Sequence, residues 1–160
     1  MGLEIERKFT VVGDSWKEGA TSELYVQGYM SSDSCSTLRI RQAGERAWLT
    51  IKGKRDNLSR LEFEYPIPPA DAQLMLEKLC LPLLIRKRRY RKEYQGFIWE
   101  IDEFQGDNEG LVIAEIELHS ENQDFIRPPW LGREVSEDRC YYNGSLRTYP
   151  YCKWTQKEEK

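Results

Sequence analysis

Polar and apolar residues alternate with a period of two along most of this chain. That is the pattern of strands with one apolar face and one polar face. The first run is Glu4-Ile5-Glu6-Arg7-Lys8, where Glu4, Glu6 and Lys8 share a face and Ile5 points the other way. Asp14-Ser15-Trp16-Lys17-Glu18 offers a cap and a short helix, and residues 24–30 read as a second strand with Gln27 as its polar interior residue. Residues 38–41 and 47–52 alternate on either side of a turn at Ala43-Gly44-Glu45, which predicts a hairpin with a basic face. Residues 59–67 set Leu61, Phe63 and Tyr65 against Arg60, Glu62 and Glu64, an acidic strand stopped by Pro68-Pro69. The period then becomes helical over 70–80, with Leu74, Met75, Lys78 and Leu79 near one stripe and Pro82 as the stop. Residues 84–94 carry charge on both faces, through Arg86, Lys87, Arg88, Arg89, Arg91 and Lys92, so their register stays open. Trp99 and Ile101 oppose Glu100 and Asp102, and after a loop at 105–110 Val112, Ala114, Ile116 and Leu118 alternate with Ile113, Glu115, Glu117 and His119. From Phe125 the pattern gives way to a trailing helix or arm and a polar end, so the expected organisation is one domain over 1–150 and a tail over 151–160.

The strands so found, centred near Glu4, Val26, Arg39, Thr50, Glu62, Lys87, Glu100 and Glu115, suit an antiparallel meander. Closing eight strands into a barrel removes the exposed edges and can enclose a ligand-sized cavity. The alternative is an open sheet with its charged face in water. Charge sorting favours the barrel: Arg39 and Arg41 are paired at i and i+2, as are Lys87 and Arg89, Glu62 and Glu64, and Glu115 and Glu117. Like charges two apart do not help a solvated strand, whereas basic strands can hold a polyanion and acidic strands a metal. Glu4 and Glu6 would stand roughly 7 Å apart by the strand rise, and at an effective dielectric near 20 they repel by about 2 kcal/mol, which a divalent cation would remove. The apolar core then lies outside the barrel, with Leu61, Phe63, Trp99, Ile101 and Ile116 among its members, and any apolar face left over favours a homodimer.

Composition narrows the partners. The 160 residues carry 27 acidic and 24 basic side chains, a net charge of -3, so no global field draws the protein to nucleic acid or an anionic membrane. No stretch reads as a leader or a membrane span, and the expected location is the cytoplasm. Cys35, Cys80, Cys140 and Cys152 lack paired short spacing and His119 is the single histidine, which argues against a zinc site and leaves the cysteines as packing residues or bystanders.

Glu4-x-Glu6-x-Lys8 begins a series of motifs that resembles the CYTH-domain proteins of the triphosphate tunnel metalloenzyme superfamily over nearly the whole chain. The series continues through Leu38-Arg39-Ile40-Arg41, Thr50-Ile51-Lys52-Gly53, Glu62-Phe63-Glu64, Arg86-Lys87-Arg88-Arg89-Tyr90, and Trp99-Glu100-Ile101-Asp102 with Phe104 and Gly106. It ends with Gly110-Leu111, Ala114-Glu115-Ile116-Glu117, and Glu134-Val135-Ser136-x-Asp138 with Tyr141, Asn143 and Leu146; Ser136 stands where threonine is expected and keeps the hydroxyl. The resemblance implies an α+β, mainly β fold: a closed eight-stranded antiparallel barrel with helices packed outside, and Lys87 and Arg89 turned inward. It implies a hydrolase that uses magnesium or manganese to remove the terminal phosphoryl group of a triphosphate, inorganic triphosphate first. Arg39, Arg41, Lys52, Lys87 and Arg89 would hold phosphate oxygens, with Lys8 orienting phosphate or water. Glu4, Glu6 and Glu117 would bind metal, with Glu62, Glu64, Glu100, Asp102 and Glu115 completing the acidic half. An adenylate cyclase, a thiamine triphosphatase or a non-catalytic binder on the same fold would keep these residues. Trp16, Tyr25, Tyr29 and Trp48 could stack on a base or simply pack.

Overall fold

The computed structural model describes residues 2–32 and 35–154. The alternating runs become β1 (Leu3–Val11), β2 (Thr21–Ser32), β3 (Ser36–Ala43), β4 (Arg46–Gly53), β5 (Ser59–Pro66), β6 (Ile85–Tyr94), β7 (Phe97–Phe104) and β8 (Val112–Glu117). Helix α1 (Pro69–Lys78) follows β5, and a short strand β9 (Leu131–Glu134) and helix α2 (Asn143–Thr148) lie in the C-terminal arm. The short helix expected near Trp16 is a single turn at Ser15–Lys17.

Eight strands close into an antiparallel barrel in the order β5-β4-β3-β2-β6-β7-β8-β1, with β1 returning to β5. This is not one meander. The strands β2 to β5 and β6 to β8 form two meanders, while β1 is inserted between β8 and β5 and β2 lies beside β6. The non-local joins follow from the long connection through α1, which lets β6 leave the neighbourhood of β5. Strand β1 carries the closure. Leu3, Glu4 and Ile5 pair with Leu61, Arg60 and Ser59, then Glu6 to Thr10 pair with Glu117 to Ile113 of β8. Beyond the reach of β5, Phe9 and Val11 pair with Glu134 and Leu131, so β9, which the sequence pattern did not reveal, occupies the remaining edge of β1.

Two of the three apolar clusters among the described residues pack on the outside of the barrel, whereas the other is built on Ile85, Phe104 and Ile113, which share the inward parity of Lys87, Glu100 and Glu115. One cluster joins Ile5, Phe9, Trp99, Ile101 and Ile116 to Trp16, Trp130 and Leu131, and Phe125 packs edge-on against Phe9 and Trp99. A second joins Ile85, Phe104 and Ile113 to Val135, Tyr141, Leu146 and Tyr151 of the C-terminal arm, so packing runs past residue 150; residues 155–160 of the expected tail lie outside the described residues. A third sets Ala72 and Leu76 of α1 on Ile40 and Ala47. The stripe buried by α1 is therefore Ala72 and Leu76 with Met75 beside them, while Leu74 and Leu79 are exposed. Gly28 allows the chain after α1 to return close to β2: a Cβ there would lie 2.7 Å from Leu84 and 2.9 Å from the Cys80 sulfur. Leu61 and Phe63, expected in the core, are 57% and 44% exposed, and Tyr65 is 54% exposed. Among the described residues α1 packs on β3 and β4, and the C-terminal arm on β1, β7 and β8, while the outer face of β5 stays exposed at Leu61, Phe63 and Tyr65.

Candidate active site

Because side chains alternate across each strand, closing the barrel points one parity of every strand at a common axis. The inward sets are Glu4, Glu6 and Lys8 on β1; Arg60, Glu62 and Glu64 on β5; Lys52 on β4; Arg39 and Arg41 on β3; Lys87, Arg89 and Arg91 on β6; Glu100 on β7; and Glu115 and Glu117 on β8. Together they line a cavity of ≈ 580 Å³. Tyr142 and residues 143–145 and 147–148 of the C-terminal arm also line it. The register of residues 84–94 is thereby resolved: Lys87 and Arg89 are buried, while Arg86 is exposed, Arg88 donates to the Ser22 hydroxyl and Lys92 to the Glu18 carbonyl outside.

The charges run in sectors. Around the barrel, β4 and β3 are basic, β2 carries neutral Tyr25, Gln27 and Tyr29, β6 is basic, and β7, β8, β1 and β5 carry the carboxylates. Lys52 stands opposite Glu62 in the ladder and meets it at 2.9 Å, and Glu4 at 3.1 Å. Lys8 sits between Glu115 at 2.7 Å and Glu6 at 3.3 Å. Burial works to lower the Lys8 ammonium, but Glu115 and Glu6 outweigh it and hold the group above its ordinary value. Burial likewise favours a neutral Glu115, yet Lys8, Arg89 and Lys87 keep its carboxyl well below the usual range.

Asp102 differs from the other acidic residues named from the sequence. It is 0% exposed and does not line the cavity. Its Oδ1 accepts from Arg89 Nε at 2.7 Å, and its Oδ2 accepts from Lys87 Nζ at 2.7 Å and Arg89 Nη2 at 2.8 Å. It orients two cations, and both its oxygens are taken up by Lys87 and Arg89 rather than exposed on the cavity. Lys87 Nζ also donates to the Asn143 side chain at 2.9 Å. Burial, reinforced by Arg89 and opposed by Asp102, pushes the Lys87 amine down to about 7.

Arg39 and Arg41 are less satisfied. Their ion pairs to Glu64 are long, 3.6 and 3.4 Å, and the Nε of each is buried without a hydrogen-bond partner among the described residues. Burial, then the neighbouring charges of Arg39 and Arg89, push the Arg41 guanidinium down to about 10.

On the acidic side, Glu6 stands directly opposite Glu117, and Glu100 opposite Glu115. Like charges directly opposite each other destabilise a sheet. Burial and the fields of Glu4, Glu62, Glu6 and Glu100 all raise the Glu117 carboxyl. A set of hard oxygen donors with excess negative charge fits a divalent cation such as Mg²⁺ or Mn²⁺. Among the described residues no three such groups are already gathered to hold one, because most are drawn onto lysines and arginines.

Several lining residues escaped the sequence reading. Arg60, whose Nε donates to Glu4 at 3.0 Å, and Arg91, paired with Glu100 at 3.2 Å, have the same parity as their inward neighbours, a signal that was present. Asn143, in the C-terminal arm, stands in the motif series but has no parity to place it, and Arg55, in the β4–β5 loop, carries no signal; Arg55 donates to the Glu6 carbonyl and lies over the Tyr142 ring at 5.5 Å.

Comparison with known proteins agrees with this architecture. The chain is 50% identical over 151 residues to the inorganic triphosphatase of Acetivibrio thermocellus, covering 94% of this chain and 97% of that protein. It is 37% identical over 148 residues to the inorganic triphosphatase of Nitrosomonas europaea, covering 89% and 95%. A solved crystal structure of an inorganic triphosphatase superposes with a TM-score of 0.66 at 33% identity, covering 90% of this chain and 93% of that one. The CYTH domain model matches residues 2–147, and with the barrel and its charged interior in place the chain belongs to the CYTH domain family.

Proposed function

We propose that this protein is a metal-dependent hydrolase that removes the terminal phosphoryl group of inorganic triphosphate. The observation that carries the reading is the pair Arg39 and Arg41, which line a cavity large enough for a polyanion and whose Nε donors are buried without a partner among the described residues. Buried donors left unpaired are costly, and phosphate oxygens would satisfy them with planar bidentate contacts. Lys52, Lys87 and Arg89 extend the same anion-binding surface, and Arg60 and Arg91 add to it. Lys8, paired with Glu6 and Glu115, is the residue we assign to orient phosphate or water.

Glu4, Glu6 and Glu117 are the residues we assign to the metal, with Glu62, Glu64, Glu100 and Glu115 around them and Mg²⁺ or Mn²⁺ as the ion. When bound, it would neutralise charge developing on the phosphoryl oxygens. Phosphoryl transfer to water depends chiefly on positioning and charge neutralisation, which such a lining can provide without a histidine or cysteine. Glu4→Gln or Glu6→Gln should raise the magnesium needed for half-maximal rate at least tenfold; wild-type dependence in both would remove them from the metal site.

An inorganic substrate is favoured over a nucleotide because the candidate stacking rings are engaged. Trp16 is buried against Tyr90, Trp48 has Arg41 and Arg46 each 5.3 Å from its ring, Tyr25 lies between Arg41 and Arg89, and Tyr29, which lines the cavity, accepts from Gln27 through its hydroxyl. Phosphate and cyclic AMP should be assayed together on triphosphate, ATP and thiamine triphosphate at matched magnesium. The expected order puts triphosphate first with no cyclic AMP, and a higher kcat/KM for either organic substrate would overturn it.

The homodimer belongs to the same proposal, with the row Leu61, Phe63 and Tyr65 beside Leu3 as the contact between copies. Phe63→Lys should convert a sedimenting dimer into a monomer, and a wild-type monomer would end that part. A cytoplasmic location rests on composition; among the described residues no helix is long and apolar enough to cross a membrane.

A further inference from the structure

We propose that Tyr25 is a positioning residue of the anion-binding wall, its ring held between the guanidinium groups of Arg41 and Arg89 so that the N–H edge of Arg41 is left for a ligand in the cavity. The inference deepens the triphosphate reading and rests on it.

Strand β2 lies between basic β3 and basic β6. Tyr25 stands directly opposite Lys87 in the ladder, while its neighbour Gln27 stands opposite Arg41 and Glu23 opposite Arg89. The ring is thus diagonal to one arginine on each side, and both close on it: Arg41 Cζ is 5.2 Å and Arg89 Cζ 5.3 Å from its centroid. Tyr25 is 1% exposed, and its hydroxyl accepts from Arg91 Nη2 at 2.9 Å, which ties the ring in place.

How a guanidinium is held decides what it can still bind. A carboxylate takes the in-plane N–H groups, the same groups a phosphate needs. An aromatic face attracts the cation from above or below the plane and leaves those N–H groups available. Arg41 is held mainly in the second way: a second ring, Trp48, lies 5.3 Å from its Cζ, its nearest carboxylate contact is the long one to Glu64, and its Nε is unpartnered among the described residues. A saturated side chain of equal bulk would keep Arg41 and Arg89 apart but would attract neither. Arg89 would stay tied to Asp102, but Arg41 would then have to be ordered by the ligand, and ordering a long side chain on binding weakens affinity.

The test keeps the volume at position 25 nearly constant while draining charge from the π face. Tyr25 is replaced by phenylalanine and by phenylalanines carrying increasing numbers of fluorines. Tripolyphosphate affinity is measured by calorimetry in EDTA, and KM and kcat are measured with magnesium. Tyr25→Phe should stay within about threefold of wild type, and Kd and KM should then rise stepwise to about tenfold with full fluorination. The kcat should change by less than about twofold, because Tyr25 touches no reacting atom. In a double-mutant cycle, Tyr25→Leu should be less than additive with Arg41→Lys and additive with Arg39→Lys. A residue that only filled the core would shift the melting temperature and leave this pattern absent. If Tyr25→Leu does not fold, the fluorinated series decides by itself. A flat Kd across the series with wild-type protein that binds tripolyphosphate overturns the role of Tyr25 alone; wild-type protein that does not bind it overturns the triphosphate reading and this inference together.

Discussion

Two basic strands flank β2, and they are held in opposite ways. On β6, Lys87 and Arg89 are held by one fully buried carboxylate, Asp102, at 2.7 to 2.8 Å, with Asn143 and Glu100 as further partners at 2.9 and 3.2 Å. On β3, Arg39 and Arg41 share Glu64 at 3.4 to 3.6 Å, and each keeps an unpartnered buried Nε. The difference separates two tasks that a cationic cavity must perform. Strand β6 supplies charge whose position is fixed by the fold, and β3 supplies donors that the fold leaves for a ligand. Removing a partner should therefore hurt folding on one strand and ligand binding on the other.

The largest effect is expected from Asp102→Asn. It leaves Lys87 without its paired carboxylate and Arg89 with only the longer contacts to Glu100 at 3.2 Å and Glu115 at 3.8 Å, and breaking a buried ion pair from one side costs about 3–5 kcal/mol. At about 2–4 °C per kcal/mol for a chain of this size, the melting temperature should drop by roughly 6–20 °C. A drop of under about 2 °C in thermal unfolding would mean that β6 is not held by Asp102.

Arg41→Ala should do the reverse. Losing charge-assisted hydrogen bonds to phosphate, about 1.5–3 kcal/mol, lowers kcat/KM for tripolyphosphate roughly ten- to hundredfold. The melting temperature should stay level or rise, because the substitution removes a buried cation repelled by Arg39 and Arg89. A variant that melts as early as the Asp102 one would erase the contrast between the strands.

The smallest effect concerns pH. Burial, with Arg89, places the Lys87 amine at about 7 against an ordinary value of 10.5, so the group is an ammonium below that point and an amine above it. A bound polyanion favours the ammonium, so tripolyphosphate affinity should fall severalfold as pH rises above about 7, with proton uptake on binding. For the unliganded fold the sign is opposite. Between about 7 and 10.5 the unfolded lysine binds more protons than the buried one, so the Lys87 contribution to stability is present above 10.5 and lost as pH falls toward 7. Calorimetry in buffers of different ionisation enthalpy measures the proton uptake, and Lys87→Met should abolish it.

Most of the lining could be read from parity alone. Once Glu4, Glu6 and Lys8 share a face, closing the barrel leaves them no other place to point, and the same holds for Arg39 with Arg41 and for Glu115 with Glu117. Parity also contains Arg60 and Arg91, although one stands in a strand whose charge is mainly acidic and the other in a segment charged on both faces. Asp102 shows the limit. It has the same parity as Glu100, yet its carboxylate is enclosed between Lys87 and Arg89, because it stands opposite Arg89 in the β6–β7 ladder. Leu61 and Phe63 show another limit: an apolar face predicts burial only if something covers it, and here α1 and the C-terminal arm settle elsewhere.

The chain by itself determined which side chains share a face of each strand and which strands carry which sign of charge, because a strand's period of two is a local property of its backbone. Only the tertiary structure decided that β1 joins β5 to β8, that β2 separates the two basic strands, and that Arg55 and Asn143 reach the cavity. Those outcomes depend on register and contact between segments far apart in the chain, set by non-local hydrogen bonds and packing.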